Sequence, residues 1–289
     1  MRVLILGANG FTARYLIQHL KQNFNDEIYC SSLRPGDSAS WLVCDLTVQK
    51  DVDSLMAEVR PQQVYQLAGS FTNHYETDYL SNVVTSRNVL ESIVKTWTNC
   101  RVLLVGSSAE YGSVKREDNP VTEDHPLNPR SVYGLTKAYQ TLMMLFYHKV
   151  HGCNVVMARP FNLLGPGLST RLFVGSLYQQ IDAYKVGRIS KIVLGNLRHR
   201  RDYIDVKQAV AYYELIMSRG RAGEAYNVGS GTGMVINDLL IKIMSEHGIS
   251  MDVIEERPYT DANKVDIKDL IASVAKIQSL QNQPQHDSI

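Results

Sequence analysis

Tyr133-Gly134-Leu135-Thr136-Lys137 spells Tyr-x-x-x-Lys. On a helix over 131–151, Tyr133 and Lys137 fall on one face, one turn apart. A lysine ammonium beside a phenol favours the phenolate, so the pair predicts a tyrosine pKa lowered from about 10 towards working pH. Upstream, the apolar run Val102-Leu103-Leu104-Val105 ends in Gly106-Ser107-Ser108-Ala109-Glu110-Tyr111-Gly112. A serine hydroxyl at that strand end can share a carbonyl oxygen with the phenol. Ser107, Tyr133 and Lys137 would then pass a proton to or from an oxygen while a hydride moves to or from its carbon. With 16 tyrosines in the chain, the spacing alone also fits an exposed helical pair, so the elements around it decide.

Those elements start at residue 1. Val3-Leu4-Ile5-Leu6 is a short apolar run of the kind covered on both faces. Gly7-Ala8-Asn9-Gly10-Phe11-Thr12-Ala13 follows, then a helical pattern with Tyr15, Leu16 and Leu20. Strand, glycine turn and helix in this order predict a dinucleotide site. Gly7 allows the tight turn, Gly10 lets the backbone approach a pyrophosphate at the helix N-terminus, and Ala13 is small enough for close packing. Asn9, Phe11 and Thr12 are candidate contacts from the same loop. A second strand at 28–31 ends in Ser31-Ser32-Leu33-Arg34. Hydroxyls plus Arg34 suit a 2′-phosphate, which favours NADP(H). A solvated Arg34, or Asp37 turned towards a ribose hydroxyl, leaves NAD(H) open.

A third strand at 41–44 is closed by Asp45-Leu46. Asp45 is placed to accept from an adenine amino group, to N-cap a helix around 48–59, or both. A fourth at 64–69 brings Leu67, Ala68 and Gly69 beneath the cofactor. A helix over 78–97, strands at 102–105 and 155–158, and the helix over 131–151 continue the alternation. The pattern implies an α/β fold with a doubly wound parallel sheet of the Rossmann type. Ligands of such sheets bind beyond the carboxyl ends of the strands, where Ser107 and Pro160 both fall.

After Ala158 the chain turns Pro- and Gly-rich, which punctuates a loop. Helices over 171–186, 206–218 and 235–247 follow, with a strand at 225–228 returning to the main sheet. The tail after 260 is polar, and its last ten residues read as frayed. The expected division is an NAD(P)-binding domain of 1–160 and 202–228 and a smaller substrate-binding lobe of 161–201 and 229–289. In that lobe Arg198, Arg200 and Arg201 are either a solvated edge or an anion site, to which Arg257 adds a second cation.

The chain has 289 residues, 44% hydrophobic, enough for one large domain with an appended lobe. Its 30 basic and 29 acidic residues give a net charge of +1. That balance gives no reason to expect nucleic acid or an anionic membrane as partner. Cys30, Cys44, Cys100 and Cys153 sit in or beside strands without Cys-x-x-Cys, so buried thiols are expected and no metal site. No apolar run approaches a membrane span, and no leader pattern precedes the first strand, so a cytoplasmic protein is expected.

Taken together, the Gly7-x-x-Gly10-x-x-Ala13 loop, Ser107, the Tyr133/Lys137 pair, Arg159-Pro160-Phe161-Asn162, Gly165-Pro166-Gly167 and Arg201-Asp202-Tyr203 resemble the extended short-chain dehydrogenase/reductase family. Gly195-Asn196 and the stretch from Gly223 to Gly231 make residues 1–260 most similar to its nucleotide-sugar branch, among enzymes of GDP-mannose derivatives. The resemblance implies that Tyr133 is the acid/base, Lys137 its activator and a ribose contact, and Ser107 the group that polarises the carbonyl. Ser108, Asn162, Arg201 and Arg257 would meet a nucleotide-diphosphate sugar. In related dehydratases the residue two before Tyr111 is a glutamate that supports loss of water; in related epimerase-reductases it is a cysteine that moves a ring proton. Here it is Ala109, which implies hydride delivery from NADPH to a 4-keto group of a deoxysugar without elimination or epimerisation. A homodimer or tetramer built on the helices over 78–97 and 131–151 is also implied. Two rivals stand beside this reading: an epimerase or dehydratase that recycles tightly held NAD, and an NADP-binding regulator without turnover.

Overall fold

The structure, a computed structural model, describes residues 1–36, 38, 40–96, 99–257 and 269–282. Asp37 lies outside them. The main sheet is built from β1 (Arg2–Leu6), β2 (Glu27–Ser32), β3 (Trp41–Val43), β4 (Gln63–Gln66), β5 (Arg101–Val105), β6 (Val155–Pro160) and β10 (Ala225–Val228). Their order is β10-β6-β5-β4-β1-β2-β3, every neighbouring pair parallel. The strand order reverses between β1 and β4, which opens a crevice at their carboxyl ends.

Alternate residues of each strand feed two cores, as the two-residue period of a strand requires. Val3, Ile5, Tyr65, Leu103 and Val156 face α1 (Phe11–Asn23) and α7 (Val206–Arg219). Leu4, Leu6, Val64, Leu104 and Met157 face α2 (Gln49–Val59), α4 (Thr85–Thr96) and α5 (Val132–His151). All four cysteines are buried and free.

The lobe has its own core, where α6 (Phe173–Lys185) and α8 (Ile236–Glu246) enclose β8 (Ile192–Leu194). β8 pairs with β12 (Ile254–Glu256). β9 (Arg200–Asp205) pairs with β7 (Asn162–Leu164), β11 (Gly233–Val235) and β13 (Asp269–Leu270). No described helix is long and apolar enough to cross a membrane.

Two elements differ from the expected pattern. The helix expected over 78–97 starts earlier, as α3 (Tyr75–Asp78), and widens into a π-turn over Tyr79–Val84 before α4. In the tail, α9 (Ala275–Gln281) packs on α7 and β10, with Ile277 and Leu280 buried in the Rossmann core. The expected division places that stretch in the lobe. The pair sits three apart, one helical face, within an otherwise polar sequence.

Candidate active site

The cofactor end is shaped by backbone. Gly7 has φ +74°, and a Cβ there would lie 2.6 Å from the Ala68 Cα, so only glycine lets β1 turn against β4. The Gly7 and Ala8 amides both donate to the Ser31 carbonyl, at 2.9 and 3.0 Å. Gly10 caps α1 with no side-chain acceptor, and the first turn carries no acidic residue. Its amides therefore remain available to an anion, with Phe11 and Thr12 in that turn. This cradle fits a dinucleotide pyrophosphate.

The Ser32 hydroxyl closes the end of β2. It accepts from the Asn9 amide at 3.0 Å and from the Trp41 indole at 2.9 Å, and donates to the Arg34 carbonyl at 2.6 Å. Arg34 itself is exposed. Asp45 does not cap α2. Its Oδ1 accepts from the Thr47 amide and hydroxyl, and the helix starts at Gln49 with Val48 as a cap that offers no side-chain acceptor. Leu46 is buried, its carbonyl accepting from Asn88 at 2.9 Å. Leu67, Ala68 and Gly69 follow β4 at the crevice, and a Cβ on Gly69 would lie 3.3 Å from the Lys137 Nζ.

Ser107 ends the loop after β5 and caps the 3-10 turn Ser108–Glu110. Its hydroxyl accepts from the Ala109 amide at 3.1 Å. Ser131 caps α5, accepting from the Gly134 amide at 3.0 Å. The helix then runs so close to the 3-10 turn that a Cβ on Gly134 would stand 2.5 Å from the Ala109 carbonyl oxygen. The Tyr133 phenol lies beside the Ser107 side chain, close enough for that hydroxyl to favour its phenolate. One turn on, Lys137 is buried, its Nζ donating to the Val105 carbonyl at 2.9 Å and lying 5.8 Å from the Tyr133 ring centroid. The three groups thus converge.

Their ionisation differs from the sequence expectation. Burial pushes the Tyr133 phenol up to about 12, against the pull of the Ser107 hydrogen bond, and Glu110 and Asp78 add to the rise. Burial pushes the Lys137 ammonium down to about 8, opposed by the same two carboxylates. Desolvation outweighs the attraction expected from the spacing because the ammonium is bonded to the Val105 carbonyl and lies over the ring. Tyr133 is therefore a protonated donor at neutral pH.

Glu110 points away from this cluster. Fully buried, it accepts from the Ser107 amide at 2.7 Å, the Thr141 hydroxyl at 2.6 Å and the Arg159 Nε at 3.1 Å. Arg159 also donates to the Tyr111 hydroxyl, which donates to Asn227 at 2.7 Å. The network braces the Ser107 loop from below. Ala109 and Ser108, both half-buried, complete the turn.

The candidate substrate contacts are more dispersed. Asn162, two residues after Pro160 closes β6, donates to the Asp202 carbonyl at 3.0 Å. Arg201 is half-buried on β9, its guanidinium donating to the Arg200 carbonyl at 3.0 Å. Arg257 stands on the other small sheet, exposed and paired with Glu255 at 2.6 Å. Just past the end of β12, the Arg257 guanidinium is held by Glu255 rather than turned to an open anion site. Sequence reading also passed over Gly134, Asn73, Asp78 and Asn82. A glycine inside a helical pattern was the available signal for the first.

A model of the NAD dependent epimerase/dehydratase family matches residues 3–229. The GDP-6-deoxy-D-mannose reductase of Pseudomonas aeruginosa is 27% identical over 262 residues, covering 88% of this chain and 83% of that protein. The structure of RMD from P. aeruginosa complexed with NADPH aligns with TM-score 0.83 at 22% identity, covering 100% of this chain and 95% of that one. That of dTDP-glucose 4,6-dehydratase from Bacillus anthracis in complex with NAD aligns with TM-score 0.85 at 19% identity, covering 100% and 92%. Both support the fold.

Proposed function

Since the chain belongs to the NAD dependent epimerase/dehydratase family, we propose that it reduces the 4-keto group of a nucleotide-linked deoxysugar, with GDP-4-keto-6-deoxymannose as substrate. The observation that carries this reading is the Ser107–Tyr133–Lys137 convergence beside Ala109, with Glu110 turned into a buried pair with Arg159. A methyl group beside the site supports neither elimination of water nor epimerisation by transfer of a ring proton. The similarity to a GDP-6-deoxy-D-mannose reductase agrees.

NADPH bound at the α1 N-terminus would supply the hydride. Gly7, Gly10 and the first-turn amides would hold its pyrophosphate, Lys137 its nicotinamide ribose, and Arg34 its 2′-phosphate. Ser107 donates a hydrogen bond to the substrate oxygen. Tyr133 delivers its proton to that oxygen as the carbon takes the hydride, and the ammonium of Lys137 stabilises the resulting phenolate until solvent restores its proton. Arg201 binds the diphosphate; Arg257 joins it by leaving Glu255. The sugar meets Asn162 and Ser108.

The test is oxidation of NADPH or NADH, followed by loss of nicotinamide absorbance with GDP-4-keto-6-deoxymannose. Turnover with a preference for NADPH is expected. Background rates with both cofactors would end the assignment. A recycling 4-epimerase is the second reading, because Ala109 does not impede that reaction. NAD retained through purification, with turnover needing no added reductant, would favour it. Leu142, Phe146 and Val150 line an exposed apolar stripe of α5, and we assign it to a homodimer contact in a cytoplasmic enzyme. Light scattering of Phe146→Glu would then report a monomer.

A further inference from the structure

One buried charge has no part in the chemistry above. Asp78 closes α3 and is fully buried. Its carboxylate gathers four donors from the loop after β4. Oδ1 accepts from the Ser70 hydroxyl at 2.6 Å, the Thr72 amide at 2.9 Å and the Thr72 hydroxyl at 2.8 Å. Oδ2 accepts from the Asn73 amide at 2.8 Å. Held this way, Asn73 adopts φ +60°, and its side-chain oxygen accepts from the Tyr133 amide at 3.2 Å. Phe71 of the same loop packs edge-on against the Tyr133 ring, centroids 6.2 Å apart at 70°.

The loop is tied at its other end as well. Ser70 exchanges two hydrogen bonds with the Asn82 amide, each 2.9 Å, and Asn82 donates to the Thr136 hydroxyl at 2.9 Å. Asp78 immediately precedes the π-turn and Asn82 lies within it, an irregularity that recurs at functional sites. We propose that Asp78 is the positioning residue of the proton donor: through the Ser70–Asn73 loop it fixes the first turn of α5, and so the direction of the Tyr133 hydroxyl. The proposal rests on the reading of Tyr133 as that donor.

The charge acts in the same sense as the geometry. Burial alone would raise the Asp78 carboxyl, but its hydrogen bonds with Ser70, Thr72 and Asn73 outweigh burial and hold it below the usual carboxylate range. Asp78 is therefore ionised at working pH. The charged or titratable groups whose fields reach Tyr133 are Asp78, Glu110, Lys137 and Tyr213. Burial keeps the phenol protonated, Asp78 and Glu110 add to that, and the same two carboxylates favour the charged Lys137 ammonium, the two forms a reduction uses.

The experiment places 3,5-difluorotyrosine at position 133 by site-specific incorporation, so that its more acidic phenol titrates in the stable pH range. Ionisation is read by absorbance, and kcat and KM are measured separately with NADPH and GDP-4-keto-6-deoxymannose. Asn73→Gly keeps the left-handed backbone and removes only the acceptor. It should lower kcat about 10-fold or more, with KM for NADPH within about threefold. Asn73→Asp, which restores an acceptor, should recover most of that loss. Asp78→Asn should lower kcat likewise and shift the phenol pKa down by about half a unit or more. Wild-type kcat in Asn73→Gly, or an unshifted phenol in folded Asp78→Asn, would overturn the proposal. If Asp78→Asn does not fold, Asn73→Gly decides. Normal turnover by Tyr133→Phe would instead end the donor reading, while the phenol titration still reports on Asp78.

Discussion

Gly134→Ala tests whether the approach of α5 to the Ser107 turn sets the rate. A Cβ at residue 134 would stand 2.5 Å from the Ala109 oxygen, whereas ordinary contact begins at 3.4 Å. The helix must therefore retreat by about 0.9 Å, the difference between the two. The Ser131 hydroxyl at 3.2 Å limits a sideways escape. Alanine in place of helical glycine gains about 1 kcal/mol, and overpacking costs about 1–3 kcal/mol, so the net loss of stability is small. Catalysis is more sensitive, because a misplacement of about 1 Å costs on the order of 100-fold. Stopped-flow hydride transfer with NADPH and GDP-4-keto-6-deoxymannose, beside thermal unfolding, separates the two effects. A folded Gly134→Ala protein within about threefold of the wild-type rate would refute the argument that this contact aligns Tyr133.

Lys137→Met should abolish most activity yet stabilise the fold. The lysine pKa falls in the folded state from its ordinary 10.5 to about 8. Charging it inside therefore costs stability in full below pH 8, less between 8 and 10.5, and nothing above. Scanning fluorimetry should show Lys137→Met gaining roughly 1–3 kcal/mol at pH 7 and the gain fading towards pH 10.5; equal stability at both pH values would contradict the shift. Wild-type kcat/KM should fall as pH rises through about 8, where Lys137 loses its proton, with no separate loss from Tyr133. Ser107→Ala should reduce kcat by about 10²–10³ while KM for NADPH stays nearly constant. Ile277→Ala should cost about 2–5 kcal/mol in urea unfolding because α9 packs into the Rossmann core; a loss under about 1 kcal/mol would contradict that packing.

Much of this was legible beforehand where one local rule sufficed. The run from Val3 to Leu6 must be buried on both faces, and the glycine turn after it has few other uses. The 225–228 strand returned to the sheet as its apolar texture implied, next to β6. What escaped depended on contacts between distant segments. The π-turn over Tyr79–Val84 contains Asn82, which bonds to Ser70 and Thr136 from distant segments, contacts that helical periodicity does not encode. The direction of the Tyr133 shift required knowing where the Lys137 ammonium points and how deep it sits. Of the two jobs open to Asp45, the helix cap is the one that Thr47, two residues on, displaces. The pairing of Arg257 with Glu255, two residues before it, is a contact that the spacing of the basic residues does not encode.

The central claim is that one phenol, held against Ser107 and beside Lys137, protonates the oxygen of a reduced carbonyl. A single-turnover comparison of wild type with Tyr133→Phe, NADPH prebound and GDP-4-keto-6-deoxymannose added, measures that step directly. Removal of this one hydroxyl should slow nicotinamide oxidation by on the order of 10²–10⁴-fold while NADPH binding, followed by fluorescence, is unchanged. Hydride transfer at the wild-type rate in Tyr133→Phe would contradict the account.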